Sequence, residues 1–225
     1  MYLSRNNSLS IRPLRNCDVL RIRWQRDAGP GATRRVPCRR VGSLIYFNSA
    51  SLDGYVAGPD GRWDWATPDA EVHSFVNDLM APTRTHLYGR RVYEVMKAWE
   101  DFPLDDLSPA ERAFALQWRD VDKVVYSATL EAVTTRRTEL RTTFDPDEVR
   151  RMKDASATPI AIGGGRLASA AARAGILDEV HTVIAPAVVG GGIRFLDEGL
   201  RLDLELIGER RFAKGSVYLG YRVRR

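Results

Sequence analysis

A repeated change of hydrophobic period constrains this chain more than any other feature. Five short apolar runs lean toward β-structure: SLIYFNSA (43–50), THLYG (85–89), DKVVYS (122–127), TPIAIGGG (158–165) and DEVHTVIAPAVV (178–189). Between them lie helix-patterned segments, the clearest placing Val72, Phe75, Val76 and Leu79 on one face. Apolar runs of this kind suit strands buried on both faces, and strands alternating with helices imply a largely parallel sheet. The C-terminal stretch breaks the alternation. There LDLELIGERRF and GSVYLGYRV, joined around Lys214-Gly215, read as an antiparallel hairpin. The expected class is α/β: a mostly parallel central sheet, helices on both faces, and an antiparallel C-terminal edge.

Local signals mark the helix boundaries. Pro68, Asp69 and Glu71 open a helix that runs through Met80. A second helix, RRVYEVMKAW, starts at Gly89, and Ser108 with Pro109 reads as an N-cap followed by the first helical position. DPDEVRRMKDA (145–155) is an acidic-start helix, and GRLASAAARAG stops at Gly175.

A chain of 225 residues, 44% of them hydrophobic, can bury one good core. Its net charge of +5 is unevenly spread. Residues 1–40 hold ten arginines against Asp18 and Asp27, whereas residues 41–225 hold 24 basic and 27 acidic side chains. The basic excess therefore belongs to the leader, and a nucleic-acid footprint, which clusters on a folded face, is not expected. The leader lacks the central apolar stretch of a secretory signal and, rich in Arg and Ser, loosely resembles an organelle transit segment. It is read as a basic, disordered extension (1–40) ahead of a domain spanning 41–225. Cys17 and Cys38 both fall within it, so the domain has no cysteine metal ligand or disulfide, and a reducing cytoplasm is the expected compartment. No run approaches the roughly 18–20 apolar residues of a membrane span. The expected partner is a small molecule, with no membrane, no nucleic acid and no metal.

The glycines carry the chemistry. Gly163-Gly164-Gly165-Arg166-Leu167-Ala168 satisfies G-x-G-x-x-A, a dinucleotide fingerprint. That fingerprint belongs in the first strand–helix unit, with an acid at the end of the second strand. Here it lies late in the chain, and the nearest acids, Asp178 and Glu179, precede the next strand. The name fits poorly, but the physics remains: glycines at a strand–helix junction admit an anion to unpaired amides. A tight turn needing positive φ is the plain alternative. Two more junctions favour an anion. Gly89 opens a helix whose first turn carries Arg90 and Arg91, which oppose the helix dipole unless a phosphate is their neighbour. In VVYSATL, Ser127 and Thr129 follow another strand end. Ligands of open α/β sheets bind at such ends.

The blocks YFNSASLDGYVAG, HLYGRRVYEVM, VVYSATL, IAIGGGRLASAAARAGILDEV and VIAPAVVGGGIRFL, in this order, resemble the dihydrofolate-reductase-like family. That family includes the C-terminal reductase domain of the bifunctional riboflavin-biosynthesis deaminase/reductase, and the likeness, to a stand-alone form, covers about residues 43–223. It implies a dihydrofolate-reductase-like three-layer sandwich, an NADPH-dependent reductase and a homodimer. By the same likeness Gly163, Gly164, Gly165, Arg166 and Leu167 would wrap the cofactor diphosphate. Gly89, Arg90 and Arg91 would meet its phosphates, and Ser127 would lie beside the ribose 2′-phosphate. Ser49 and Val56 would offer backbone groups to the nicotinamide carboxamide. Two departures bear on the substrate. The zinc deaminase signature of the bifunctional enzyme, His-x-Glu with a later Pro-Cys-x-x-Cys, is absent. Its reductase half also resembles GSGT…ADDP after the second strand, where this chain has YGRRVYEVM. A ribosylaminouracil phosphate, a dihydrofolate or pterin, and a non-catalytic NADP-binding module all stay open.

On the substrate side, Asp53 is a candidate acid near the nicotinamide, or an Asp-Gly turn former. Glu71 and Asp69 stand in the first helical turn, where dihydrofolate reductase keeps its substrate carboxylate; acids there also stabilise a helix N-terminus. Asp53 and Glu71 are taken as the catalytic pair. Asn48, Trp63 and Trp65 are substrate contacts in this reading: a heterocycle hydrogen bond and two planar walls. His73 reads as a half-buried helical histidine, and the second triplet, in APAVVGGGIRF, as the far wall of the site or a subunit contact.

Overall fold

The computed structural model describes residues 42–225; the expectations for residues 1–40 lie outside them. The strands in chain order are β1 (Leu44–Ser51), β2 (Tyr55–Ala57), β3 (Thr85–Gly89), β4 (Asp122–Tyr126), β5 (Thr138–Arg141), β6 (Ile160–Gly163), β7 (Glu179–Ala185), β8 (Ile193–Arg194), β9 (Leu204–Arg211) and β10 (Val217–Val223). The α-helices are α1 (Ala70–Met80), α2 (Arg90–Met96), α3 (Ala98–Asp101), α4 (Pro109–Asp120), α5 (Pro146–Ala155) and α6 (Gly165–Arg173). Eight strands form one sheet in the order β5-β4-β3-β6-β1-β7-β10-β9, and β2 pairs with β8 apart from it. The ladders from β5 to β7 are parallel, while β10 runs antiparallel to both β7 and β9. The expected antiparallel edge is thus the β9–β10 hairpin.

Successive residues of a strand face opposite sides, and the two cores follow that rule. Leu44, Tyr46, Leu87, Val124, Ile160 and Ile162 meet α5 and α6 through Val149, Ala168 and Ala171. Their strand neighbours face the other way: Val125 and Tyr88 pack with Tyr93 and Trp118 of α2 and α4. On that side Val183, Phe212 and Tyr218 receive α1, whose Val72, Phe75, Val76 and Leu79 are the face read from the sequence. Fully burying side chains of this size stabilises by about 1.5–3 kcal/mol each.

Capping sets the helix starts. The Ser108 hydroxyl accepts from the Glu111 amide while the Glu111 carboxylate accepts from the Ser108 amide, a complete capping box with Pro109 just inside. Helix α1 begins at Ala70 and not at Pro68, because Asp69 is extended and its carboxylate caps the Val72 amide at 2.9 Å. Three strands differ from the sequence reading: β5 is a short edge strand with charged Glu139 and Arg141, and β2 and β8 pair over only a few residues. None is long enough to show a hydrophobic period.

The strand order creates the site. β1 and β6 are neighbours, yet the chain leaves β1 toward β3 and leaves β6 toward β7. Such a reversal opens a crevice at the carboxyl ends of the strands. β1 also outruns β6: it pairs with β6 only through Tyr46, while with β7 it pairs through Ser51. Among the described residues, no helix is long and apolar enough to cross a membrane.

Candidate active site

The first wall of the crevice is the glycine junction at the end of β6. Gly164 caps α6 with φ +103°, a conformation that side chains rarely adopt. The first backbone bond of α6 runs from the Ala168 amide to Gly164 O at 3.0 Å. The amides of Gly165, Arg166 and Leu167 therefore precede the helical ladder, and no side chain caps them. Arg166 is exposed beside them. The flanking glycines answer to packing. A Cβ on Gly163 would lie 2.7 Å from the Tyr88 ring, and one on Gly165 would lie 2.6 Å from Phe195 O. Tyr88 cannot give way easily, since its hydroxyl meets His86 Nδ1 at 2.7 Å and accepts from Trp118 Nε1 at 3.2 Å.

The second wall brings together the two other junctions. The Arg90 guanidinium donates to the Thr129 hydroxyl at 2.7 Å, so the starts of α2 and of the loop after β4 meet in space although 39 residues separate them. Ser127 is buried, and its hydroxyl accepts from the amides of Thr129 and Leu130 at 3.2 and 3.0 Å. That turn fixes Ser127 Oγ and leaves its proton to donate. Arg91 is exposed. Gly89 is the least constrained of the described glycines, although Gly191 and Gly208 are also unstrained, with ordinary contacts at 3.5 and 3.4 Å. The φ of Gly89 is −77°, an ordinary value, and a Cβ there would meet nothing within 4 Å. The protein itself makes no demand for glycine at that position.

Across β1 lies a cleft of about 390 Å³, lined by Ser49, Trp65, Asp69, Val72, Pro186, Lys214 and Ser216 among others. It opens where β1 and β7 end beside the N-terminus of α1. Ser49 and Trp65 thus line the cleft, whereas Trp63 is exposed and does not. Asn48 does not line it either, because it alternates with Ser49 on β1 and faces the side of Tyr46. The Tyr46 hydroxyl donates to Phe195 O at 2.7 Å, and burial raises its pKa while the nearby Asn48 side chain opposes the rise. Val56 is the extra residue of a bulge: Tyr55 pairs with Arg194 and Ala57 with Ile193, so Val56 has no register partner.

The two acids expected to act in catalysis are engaged with the protein. Hydrogen bonds from Ser51 and from the Gly190 and Val189 amides hold the Asp53 carboxyl below the usual carboxylate range. Glu71 accepts from the Ala213 amide at 3.0 Å and from Arg210 at 2.8 Å, and those bonds lower its pKa, the amide first. It therefore fastens α1 to the β9–β10 hairpin. The carboxylate that does line the cleft is Asp69, with Lys214 Nζ 3.9 Å from it. In the sequence Lys214 reads only as a turn residue and Ser216 only as the start of a hairpin strand; the hairpin brings both to the cleft. His73 sits among Trp99 and Phe114, and burial lowers its pKa.

A family profile for the RibD C-terminal domain matches residues 43–218. The chain belongs to that family. It is a reductase-like family, which makes an oxidoreductase the coarse class of this protein. A curated relative, the uncharacterized protein YyaP of Bacillus subtilis strain 168, is 26% identical over 183 residues, 79% of this chain and 93% of its own length. A Shewanella sp. PV-4 protein named for riboflavin biosynthesis shares the fold with a TM-score of 0.64 at 21% identity, over 81% of this chain and 99% of its own. Dihydrofolate reductase of Enterococcus faecalis, solved with NADP(H), matches with a TM-score of 0.56 at 14% identity, over 82% of this chain and 98% of its own. Identities this low establish the fold, which is dihydrofolate-reductase-like.

Proposed function

We propose that this protein is an NADPH-dependent reductase that delivers hydride to a small heterocyclic or ribosylamino substrate, in the manner of the riboflavin-pathway reductase domain. The observation that carries the reading is Gly89, a glycine that the fold does not require, set beside Arg90, Arg91 and Thr129 at the end of β3. A backbone left bare for no internal reason, next to two exposed guanidinium groups, suits the close approach of a phosphate. The uncapped start of α6 supplies a second anion site at the neighbouring strand end.

The residues fit a dinucleotide. The amides of Gly165, Arg166 and Leu167 would take the diphosphate, and Arg90, Arg91 and Ser127 the 2′-phosphate. Ser49 and the backbone of Val56, which has no register partner in β8, would take the carboxamide, beside the cleft. When bound, the cofactor supplies a hydride from its nicotinamide ring. The protein holds the acceptor in register, with Trp65 as a flat wall and Ser49, Asp69, Lys214 and Ser216 as polar contacts. Val72 and Val183 add an apolar stretch to this lining.

A dihydrofolate- or pterin-type substrate is a second reading, supported by the cleft carboxylate of Asp69 on the first helix and by the YGRR sequence. The deciding experiment titrates NADPH into the protein and then follows NADPH oxidation with a ribosylaminouracil phosphate, dihydrofolate and simple carbonyl compounds. Turnover of the first supports the leading reading, and turnover of the second selects its alternative. Binding without turnover points to a binding module. Absence of NADPH binding refutes the whole reading.

A further inference from the structure

The second glycine triplet, in VVGGGIRF (188–195), takes no part in the site as described. Its contacts run in two directions. On one side it grips the turn that follows β1. Asp53 accepts from the Gly190 amide at 2.8 Å and from the Val189 amide at 3.2 Å, and the Leu52 amide donates to Ala187 O at 2.8 Å. Gly192 is pressed against β2, where a Cβ would lie 2.1 Å from Ala57 O. The Phe195 amide donates to Gly54 O at 2.9 Å, and the Arg194 guanidinium lies over the Tyr55 ring at 5.1 Å. On its other side the same segment supports the first triplet. A Cβ on Gly165 would meet Phe195 O at 2.6 Å and Arg194 O at 2.8 Å, so those carbonyls lie directly against the start of α6. Phe195 is itself fixed through the Tyr46 hydroxyl and a ring contact at 4.7 Å.

We propose that residues 188–195 form a strap that sets the turn carrying Val56 against the phosphate-binding start of α6, and that Asp53 anchors this strap as a positioning residue instead of serving as the proton source. The inference rests on the cofactor reading above. Its geometry links the two ends of an extended dinucleotide: Val56 at the carboxamide end and Gly165 at the diphosphate end are held by opposite sides of one short segment. Both Asp53 oxygens face backbone amides, so the carboxylate acts as an acceptor with no proton to give.

The test uses the full chain with Asp53→Ala and Asp53→Asn. Two readouts are followed: NADPH affinity by tryptophan fluorescence, and amide exchange at residues 187–195 without cofactor. Removing the acceptor leaves two amides unpaired, so Asp53→Ala is expected to weaken NADPH about tenfold and to speed exchange at Val189 and Gly190. Asparagine keeps one acceptor oxygen and is expected to restore most of the affinity, with the pH profile of turnover unchanged. Should the alanine variant not fold, the asparagine variant alone decides. Lost turnover with intact NADPH affinity in that variant would make Asp53 part of the chemistry and overturn the strap. Unchanged exchange and affinity in Asp53→Ala would overturn it equally. If the unaltered protein does not bind NADPH, the cofactor reading falls and the positioning role falls with it.

Discussion

Gly89→Ala separates what the fold needs from what a ligand needs. The residue caps α2 with φ −77° and ψ 158°, which alanine adopts without strain, and the added methyl meets no atom within 4 Å. Alanine at an N-cap costs about 0.5–1 kcal/mol relative to glycine, while the loss of glycine's freedom in the unfolded chain returns about 0.4–1 kcal/mol. The net effect on stability is close to zero, within about 0.5 kcal/mol, or a shift in Tm of about 1–2 °C for a domain of this size. Binding is another matter. A methyl on the surface that a phosphate would approach pushes it away from Arg90 and Arg91 and removes at least one charge-assisted hydrogen bond, about 1.5–3 kcal/mol. NADPH affinity should therefore fall by about 10- to 150-fold. Thermal unfolding and an NADPH titration on the same preparation supply both numbers. An affinity that does not change would remove the phosphate from this strand end. A Tm lowered by many degrees would show that the fold did require glycine there.

Three further outcomes follow from named contacts. Arg90→Ala combined with Arg91→Ala should weaken NADPH tenfold or more beyond any loss for NADH; equal losses would remove the 2′-phosphate from these side chains. Glu71→Gln should destabilise the hairpin anchorage in a pH-dependent way. The folded pKa of Glu71 is lowered, so its contribution is complete above the ordinary value near 4.5 and fades as pH falls through the folded value. The difference in unfolding midpoint between the two proteins should thus be full at neutral pH and vanish in acid; a gap independent of pH would contradict the assignment. Gly220→Ala would put a methyl 2.4 Å from the Tyr218 hydroxyl and 2.9 Å from His181 Nδ1, inside a buried Glu179–His181–Tyr218 chain. It should cost about 1–3 kcal/mol in urea unfolding. Gly208→Ala, with its nearest contact at 3.4 Å, should cost little, and equal costs would refute the packing argument.

The local half of this protein is written in its sequence. The five longer parallel-sheet strands, the helix faces and the terminal hairpin follow from hydrophobic period, and the starts of α4 and α5 from capping residues that bond within three positions. The expected junctions at Gly89, Ser127 and Gly163 all lie at strand carboxyl ends for the same reason: strand, turn and helix are set by neighbours in the chain. Even the separation of Asn48 from Ser49 follows from the alternation of a strand, although the cleft had to be located first. Long-range pairing decided the rest. Nothing local shows that β6 inserts between β3 and β1, and the crevice depends on that order. The sequence offers Asp53 as a catalytic acid or a turn former, and only the fold brings amides 136 and 137 residues away onto its oxygens. Glu71 likewise reads as a catalytic acid or a helix-start acid, and its partners Arg210 and Ala213 arrive only across the hairpin. A carboxylate's role depends on which donors surround it, and those donors are brought together only when distant segments pack. The glycines divide along the same line: Gly164 is required by its own backbone, Gly163 and Gly165 by neighbours from elsewhere in the fold, and Gly89 by neither.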